Sequence, residues 1–399
     1  MRRELTYATV CSGIECCSVA CRGLPLKPVF FSEIEPFPCA VLKAHYPDVP
    51  NLGDMSRIQV SNNGKEITNG TVRLLLDARL DILAGGTPCQ DVSVAGKRAG
   101  MQEGSGTRSS LAFDFVRLAR ELGPRWVLWE NVAGAIDSKN APDFLRFVGA
   151  LGDCGYSLAW RVLDAQYVRV DGMERAVPQR RRRVWVVGCL GADESVPAQI
   201  LFEPDCVAGH TAPRRRTGEG FAYSLAGRDR VDARRCGRPC ARSGVAYGIN
   251  PQGGGMNPFD EELGETQSVC HQGGVMQVND NDLLKMRYIV RRLTPTECER
   301  LMGLPDGYTI PAGLDPNDPA LVAEFQRIFD AFGAIMAEYE HTKPPKPKTA
   351  AQVQKWLAKI TDPATCPDSP RYKACGNGWA TNQPRWILTR LLAQEGISW

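Results

Sequence analysis

Short apolar runs alternate with segments of helical spacing through the first half of this chain. Tyr7–Cys11 reads as a buried strand closed by a turn at Ser12-Gly13, and Val29–Ser32 as a second strand. A helix is expected from Pro36 to His45. Further strands are expected at Asp81–Ala84, Trp126–Trp129 and Val184–Gly188, with helices over Leu111–Leu122 and Asp143–Leu151 between them. Strands separated by helices predict an α/β domain around a mostly parallel sheet. In such sheets ligands sit beyond the carboxyl ends of the strands.

The alternation stops at about residue 190. Residues 191–290 are rich in Gly, Arg, Pro and polar side chains, with short β-like pieces at Ser268–Cys270 and Val275–Val278. Order returns at Arg292, where Thr294 is placed as a helix N-cap, Pro295 in the first turn and Glu297 as capping partner. That helix runs through Met302 and stops at Gly303. Residues 320–340 carry helical apolar spacing (Leu321, Phe325, Ile328, Phe332, Ile335, Met336). Lys343–Lys348 reads as a Pro-rich linker, followed by a short helix near 350–360 and a last one from Gln383 to Leu392. The expected division is 1–190, a smaller irregular unit at 191–290, a hinge helix with a helical insertion and linker at 291–370, and a closing segment at 371–399.

Composition removes several function classes. The 399 residues include no apolar run long enough to span a membrane, and the basic opening MRRELTYATVCSG lacks the apolar core of a signal peptide. An odd count of 15 Cys in a large chain does not read as a disulfide framework, so a reduced, cytoplasmic compartment is expected. Net charge is only +3, but residues 201–245 hold nine Arg, no Lys and five acidic residues. Concentrated Arg is a candidate phosphate-contact surface, although a solvated face gives the same pattern.

Four segments carry candidate chemistry. In Asp81-Ile-Leu-Ala-Gly-Gly-Thr-Pro-Cys-Gln90 a strand ends in Gly85-Gly86, and Pro88 sets the turn before the Cys89 thiol. A thiol on a strand-end loop suits nucleophilic attack, whereas an isolated Cys is more often a small core residue. The Gly-studded stretch Asp91–Gly106 suits a closing lid. In Trp126-Val-Leu-Trp-Glu-Asn-Val132, Glu130 sits at the end of an apolar strand, where desolvation raises its pKa and favours proton donation. In Pro178-Gln-Arg-Arg-Arg-Arg-Val184, strand alternation would aim Arg181 and Arg183 to one face. Ala8-Thr-Val-Cys-Ser-Gly-Ile14, with Glu33 and Asp54 at later strand ends, makes a nucleoside-site pattern.

In this order the segments resemble the C5-cytosine-specific DNA methyltransferases of prokaryotic or phage type. The signatures are Pro-Cys-Gln, Glu-Asn-Val and Gln-x-Arg-x-Arg, with Arg291–Gly303 and Tyr372–Trp379 further along. The resemblance implies a Rossmann-like, S-adenosylmethionine-dependent methyltransferase domain with a smaller, irregular, β-containing target-recognition domain at 191–290. It implies that Cys89 adds to C6 of a flipped cytosine in duplex DNA, that Glu130 assists at N3, and that Arg183 and Arg181 contact the carbonyl and the active-site loop. The cofactor set carried over by position is Cys11, Ser12, Gly13, Glu33, Ile34, Asp54, Met55, Pro88, Leu111, Asn377 and Gly378. Lid and DNA contacts would come from Gln90, Ser93, Gly96, Lys97, Arg98 and Gln179. The resemblance implies a cytoplasmic monomer in a bacterial cell or phage-infected host. It leaves room for a cognate restriction endonuclease, which the sequence does not show.

The chain departs from the family at several points. Its first motif has Cys11, Glu15 and Cys16 where an aromatic and glycines are usual, Ile34 supplies no stacking ring, and Gly378 stands where Ser is common. Val168–Ala176 and 310–368 read as insertions, the latter as a surface-decorating helical pair. Cys206, His210, Cys236 and Cys240 could hold zinc, but their spacing is not that of a standard ribbon, and no metal is expected. An RNA cytosine-5 methyltransferase and a catalytically silent DNA-binding relative remain as alternatives. A dinucleotide enzyme would want a full Gly-x-Gly-x-x-Gly turn, which is missing.

Overall fold

The computed structural model describes residues 3–87, 111–137, 140–170, 177–203, 247–249, 274–278 and 288–399. Its centre is a six-stranded sheet built from β1 (Leu5–Val10), β2 (Leu26–Ser32), β6 (Ile82–Gly85), β7 (Trp126–Val132), β8 (Tyr156–Asp164) and β9 (Arg182–Leu190). The strand order is β2-β1-β6-β7-β9-β8. Neighbours are parallel except β9, which runs antiparallel to β7 and β8. The order reverses between β1 and β6, which places a crevice at their carboxyl ends. Helix α1 (Cys16–Ala20) follows β1, and the expected strands and the helices α2 (Pro36–His45) and α3 (Leu111–Leu122) are all present. The expected Asp143–Leu151 helix is α4, extended to Ala141–Asp153.

Alternation along the strands divides the core into two layers. Trp126 and Leu128 of β7 face one side with Trp185 and Val187 of β9 and the last helix. Val127 and Trp129 face the other with Phe115 of α3 and Phe147 of α4. Trp126, Trp129 and Trp185 are fully buried, each contributing roughly 3 kcal/mol of apolar burial. Where Gly85 and Gly188 pass neighbouring strands, an added Cβ would lie 2.7 Å and 2.6 Å from Val side chains.

Three elements escape the sequence pattern. Strand β8 lies at the sheet edge, so its pattern is diluted by residues such as Trp160, 40% exposed. A meander of three-residue strands, β3 (Gln59–Ser61), β4 (Glu66–Thr68) and β5 (Arg73–Leu75), is too short to show periodicity. Helix α5 (Ser195–Leu201) lies beyond residue 190 yet is built onto the sheet. Arg390 Nε donates to Ile200 O and its Nη2 to Gln199 O, both at 2.6 Å.

Strands β10 (Tyr247–Ile249), β11 (Gly274–Val278) and β12 (Tyr288–Arg292) form an antiparallel sheet, so Val275–Val278 is strand as expected. Ser268–Cys270 and the four candidate zinc ligands lie outside the described residues. Helix α6 (Pro295–Met302) carries the expected capping box, with Thr294 and Glu297 exchanging bonds and Gly303 closing it at φ 74°. The insertion forms α7 (Pro319–Glu340) and α8 (Ala350–Thr361), joined through buried Phe325, Val353 and Leu357. It does more than decorate the surface: Glu324 pairs with Lys43 of α2 at 3.2 Å. A cavity of about 510 Å³, floored by Phe37, Phe329, Phe332 and Trp356, lies between the insertion and α2 and holds none of the candidate site residues.

Helix α9 (Asp368–Asn377) and α10 (Asn382–Gln394) close the fold. A buried ion pair welds α9 to α6: Arg371 Nη2 lies 3.1 Å from Glu299 Oε1, and Glu299 also accepts from the Gly307 and Thr309 amides of the segment after α6. Removing one partner of such a pair costs about 3–5 kcal/mol. Among the described residues no helix is long and apolar enough to cross a membrane.

Candidate active site

The first strand ends in an unusual turn. Cys11 and Glu15 stand in the left-handed region at φ 50° and 61°, with Gly13 between them at φ 57°. Ser12 ties the ends of β1 and β2 together: its amide donates to Ser32 O at 3.1 Å, and its Oγ accepts from the Ser32 amide at 3.0 Å. Glu33 spans the turn, accepting from the amides of Gly13, Ile34 and Glu35, each at 2.8 Å. A carboxylate so bonded fixes the loop that a ligand must meet. Burial nevertheless pushes its pKa up, ahead of the lowering by those amides.

Cys11 gathers the remaining candidates on this side. Its thiol lies 3.5 Å from Met55 Sδ. Burial, then Glu33, Asp54 and Asp114, push that thiol far above its ordinary range, which puts three carboxylates around it. Asp54 caps a 3-10 turn through the Ser56 amide at 2.9 Å, and Leu111 opens α3. Asp114, one turn further along α3, was not singled out from the sequence. An acid three residues after Leu111 in a helical run is the signal that marks it. An added Cβ at Gly13 would meet nothing within 4 Å, so the turn opens onto free space. Carboxylates that can accept from hydroxyl and amino groups, and a negative field for a sulfonium, fit S-adenosylmethionine.

Gly378 and Asn377 reach this turn from the end of α9. A Cβ on Gly378 would lie 2.7 Å from Cys16 Sγ. The Cys16 thiol thus occupies the volume that a side chain at position 378 would need.

The second half of the site lies at the carboxyl end of β7. Glu130 tops the column Trp126, Leu128, Glu130, and Arg183 tops the column from β9 on the same face. Register pairs Glu130 with Trp185 and Val132 with Arg183, so the two charges meet diagonally, Arg183 Nε 2.9 Å from Glu130 Oε1. Burial pushes the Glu130 carboxyl up, while Arg183, Arg181 and the Trp379 indole hold it down. The indole of Trp379 stacks edge-on against Trp185 at 4.9 Å. Trp379 closes the Tyr372–Trp379 signature, to which the resemblance attaches no role for the indole. Its bond to Glu130 joins residues 249 positions apart and has no local signal. Gly86 passes beneath them, where a Cβ would lie 2.8 Å from Trp379 Nε1 and 3.1 Å from Glu130 Oε2.

Arg181 precedes the first residue of β9, and the alternation carries through it: Arg181 is buried, Arg182 exposed and Arg183 half-buried, with the Ala165 amide donating to Arg181 O at 3.1 Å beyond the Asp164–Arg182 pair. Its Nη2 donates to the carbonyls of Gly376 and Gly378 at the end of α9. A cation suits the exposed carbonyls of a helix C-terminus. Arg181 thus ties the closing segment to the sheet, and its influence on Glu130 is through space. Gln179 is fully buried, its backbone N–H donating to Val177 O at 2.8 Å.

Strand β6 exits at a fixed point. Trp129 Nε1 donates to Thr87 Oγ1 at 3.1 Å and Asn131 Nδ2 to Thr87 O at 3.3 Å. Pro88, Cys89, Gln90, Ser93, Gly96, Lys97 and Arg98 follow and lie outside the described residues.

Comparison with known proteins bears on this arrangement. Residues 5–211 match the family described as C-5 cytosine-specific DNA methylase. A protein of Escherichia phage P1 named DNA N-6-adenine-methyltransferase is 29% identical over 98% of this chain and 61% of its own length. The type II methyltransferase M.NlaIV of Neisseria lactamica is 33% identical over 47% of this chain and 39% of its own length. M.HpaII of Haemophilus parainfluenzae is 24% identical over 84% of this chain and 92% of its own. The chain thus spans less than two thirds of the first two relatives.

Proposed function

The chain belongs to the C-5 cytosine-specific DNA methylase family, and we propose that it methylates C5 of a flipped-out cytosine in duplex DNA, with S-adenosylmethionine as cofactor. The observation that carries this reading is the buried Glu130–Arg183 pair at the end of β7. It stands one strand from the exit of β6, from which the sequence continues through Pro88 to Cys89.

Cytosine C5 is a poor nucleophile until the ring is activated. Cys89 attacks C6 as thiolate, forming an S–C6 bond and pushing the ring electrons toward N3. Glu130 donates its proton to N3 as that charge develops, and burial keeps the proton on the carboxyl to higher pH than in water. Acid assistance of this kind contributes about 10²–10⁴-fold. Arg183 orients the carboxyl and offers its remaining N–H groups to the ring carbonyl. The resulting enamine is nucleophilic at C5. S-adenosylmethionine supplies an electrophilic methyl group there. Loss of the C5 proton and expulsion of the Cys89 thiolate restore the ring. Cys11–Gly13, Glu33, Asp54 with Met55, and Asn377 with Gly378 would hold the cofactor. Flipping is required because neither C6 nor N3 can be reached in this way within a stacked duplex.

The Arg-rich residues that follow α5, up to 290, serve in this reading as the target-recognition domain, and the protein acts as a cytoplasmic monomer. The test is base-resolution mapping of both 5-methylcytosine and N6-methyladenine in DNA from cells expressing wild type or Cys89→Ala. The expected result is 5-methylcytosine at one short motif, absent in the variant. N6-methyladenine that persists in Cys89→Ala would transfer the phage P1 relative's named activity to this chain and overturn the reading. Unmodified DNA with methylated RNA would overturn the choice of substrate.

A further inference from the structure

Resting on the reading that the β1 turn takes S-adenosylmethionine, we propose that Glu15 receives the α-ammonium group of the cofactor's methionine end. The mechanism above gives Glu15 no part, yet it is a carboxyl of 0% exposure set beside the candidate cofactor residues. It stands at φ 61°, ψ 52°, a conformation that costs a residue other than Gly roughly 1–2 kcal/mol.

Its hydrogen bonds define what it can still accept. Oε1 takes the Ser18 amide at 3.0 Å and Ser18 Oγ at 2.9 Å, and Oε2 takes Thr9 Oγ1 at 2.7 Å. A carboxylate offers about four acceptor positions, so Oε2 retains one. Glu15 and Thr9 line a small pocket of about 20 Å³ with Cys11, Ser12, Asn377 and Gly378. That is room for one water or one ammonium-sized group. The small volume suits the tip of the methionine end, while adenosine belongs with Cys11 and Met55.

The charges around Glu15 favour a cation brought by a ligand. All three of its donors are neutral. The titratable groups that face it, Tyr7, Cys17, Tyr46 and Tyr308, are pushed up by it and by burial and so stay uncharged. Arg22 lies over the far ring of Tyr308, 5.9 Å from its centroid. Burial pushes the Glu15 carboxyl up to about 7, so the anion is costly in the free protein and gains most from a partner.

The test is calorimetric binding of S-adenosylhomocysteine and of its des-amino analogue to wild type and Glu15→Gln, independent of turnover. Gln keeps an acceptor toward Ser18 and can donate to Thr9, so the turn is retained. Glu15→Gln is expected to weaken S-adenosylhomocysteine about 10- to 100-fold, the loss of one charge-assisted hydrogen bond, and to leave the des-amino analogue unchanged. Equal weakening of both ligands, or of neither, overturns the proposal and leaves Glu15 as a helix cap. If wild type binds neither ligand, the cofactor reading falls as well; if wild type and variant bind S-adenosylhomocysteine alike, only the role of Glu15 falls. Thr9→Val supplies a second check that keeps the carboxyl. Losing a donor should move the pH midpoint of ligand binding upward, and an unmoved midpoint contradicts the proposal.

Discussion

Two buried carboxyls stand in this molecule at the ends of neighbouring parts of one sheet, and their surroundings differ in kind. Glu15 is held by hydroxyls and an amide, all neutral, whereas Glu130 lies against a guanidinium and an indole. Burial raises both. At Glu130 the protein supplies its own countercharge, so the group is oriented before any ligand arrives. At Glu15 the countercharge is left to the ligand. The difference teaches that desolvation alone does not assign a role; the identity of the compensating donors does.

Breaking the Glu130 side should have the largest effect. Glu130→Gln is expected to lower single-turnover methyl transfer about 10²–10⁴-fold with little change in cofactor affinity. Quench-flow together with calorimetry checks both halves. Arg183→Met sharpens the same point. Arg183 lowers the Glu130 pKa, so its removal raises it further, and the alkaline limb of kcat/KM, where Glu130 loses its proton, should move to higher pH. A limb that stays in place would assign it to another group.

The Glu15 side yields a stability signature. Its folded pKa lies above the unfolded value, so the folded state binds the extra proton. Its contribution is therefore fullest below about pH 4.5 and is lost as pH rises through about 7. Glu15→Gln should accordingly gain stability relative to wild type between those values, by at most about 3 kcal/mol, as urea denaturation across pH would measure. The smallest effect concerns the packing that joins the two regions. Gly378→Ala should cost about 1–3 kcal/mol by overpacking against Cys16, and Cys16→Ala should recover much of it in a double-mutant cycle.

Much of the fold is legible because local rules agree with it. The Thr294–Glu297 box, the Pro36 start of α2 and the apolar face of α10 each carry their own signal. Strand β8 and the β3–β5 meander are not legible, since edge position and three-residue length erase periodicity. At the site the residue types Cys11, Glu33, Asp54, Glu130 and Arg183 can be picked out, but their contacts cannot. Arg181 looks equivalent to Arg183, and only the fold shows that its Nη2 goes to the Gly376 and Gly378 carbonyls while Arg183 meets Glu130. Trp379 over Glu130 and Cys16 against Gly378 depend on bringing the end of the chain back to its beginning, which no window of sequence contains.

The most direct test of the central claim is whether Cys89 becomes bonded to the base. DNA in which 5-fluorocytosine replaces cytosine has no C5 proton to lose, so a covalent intermediate cannot be resolved. Incubated with S-adenosylmethionine, wild type should form a protein–DNA complex that survives denaturing electrophoresis, and Cys89→Ala should form none. Methylation of ordinary DNA without any such complex, or a complex that persists in Cys89→Ala, would contradict the account.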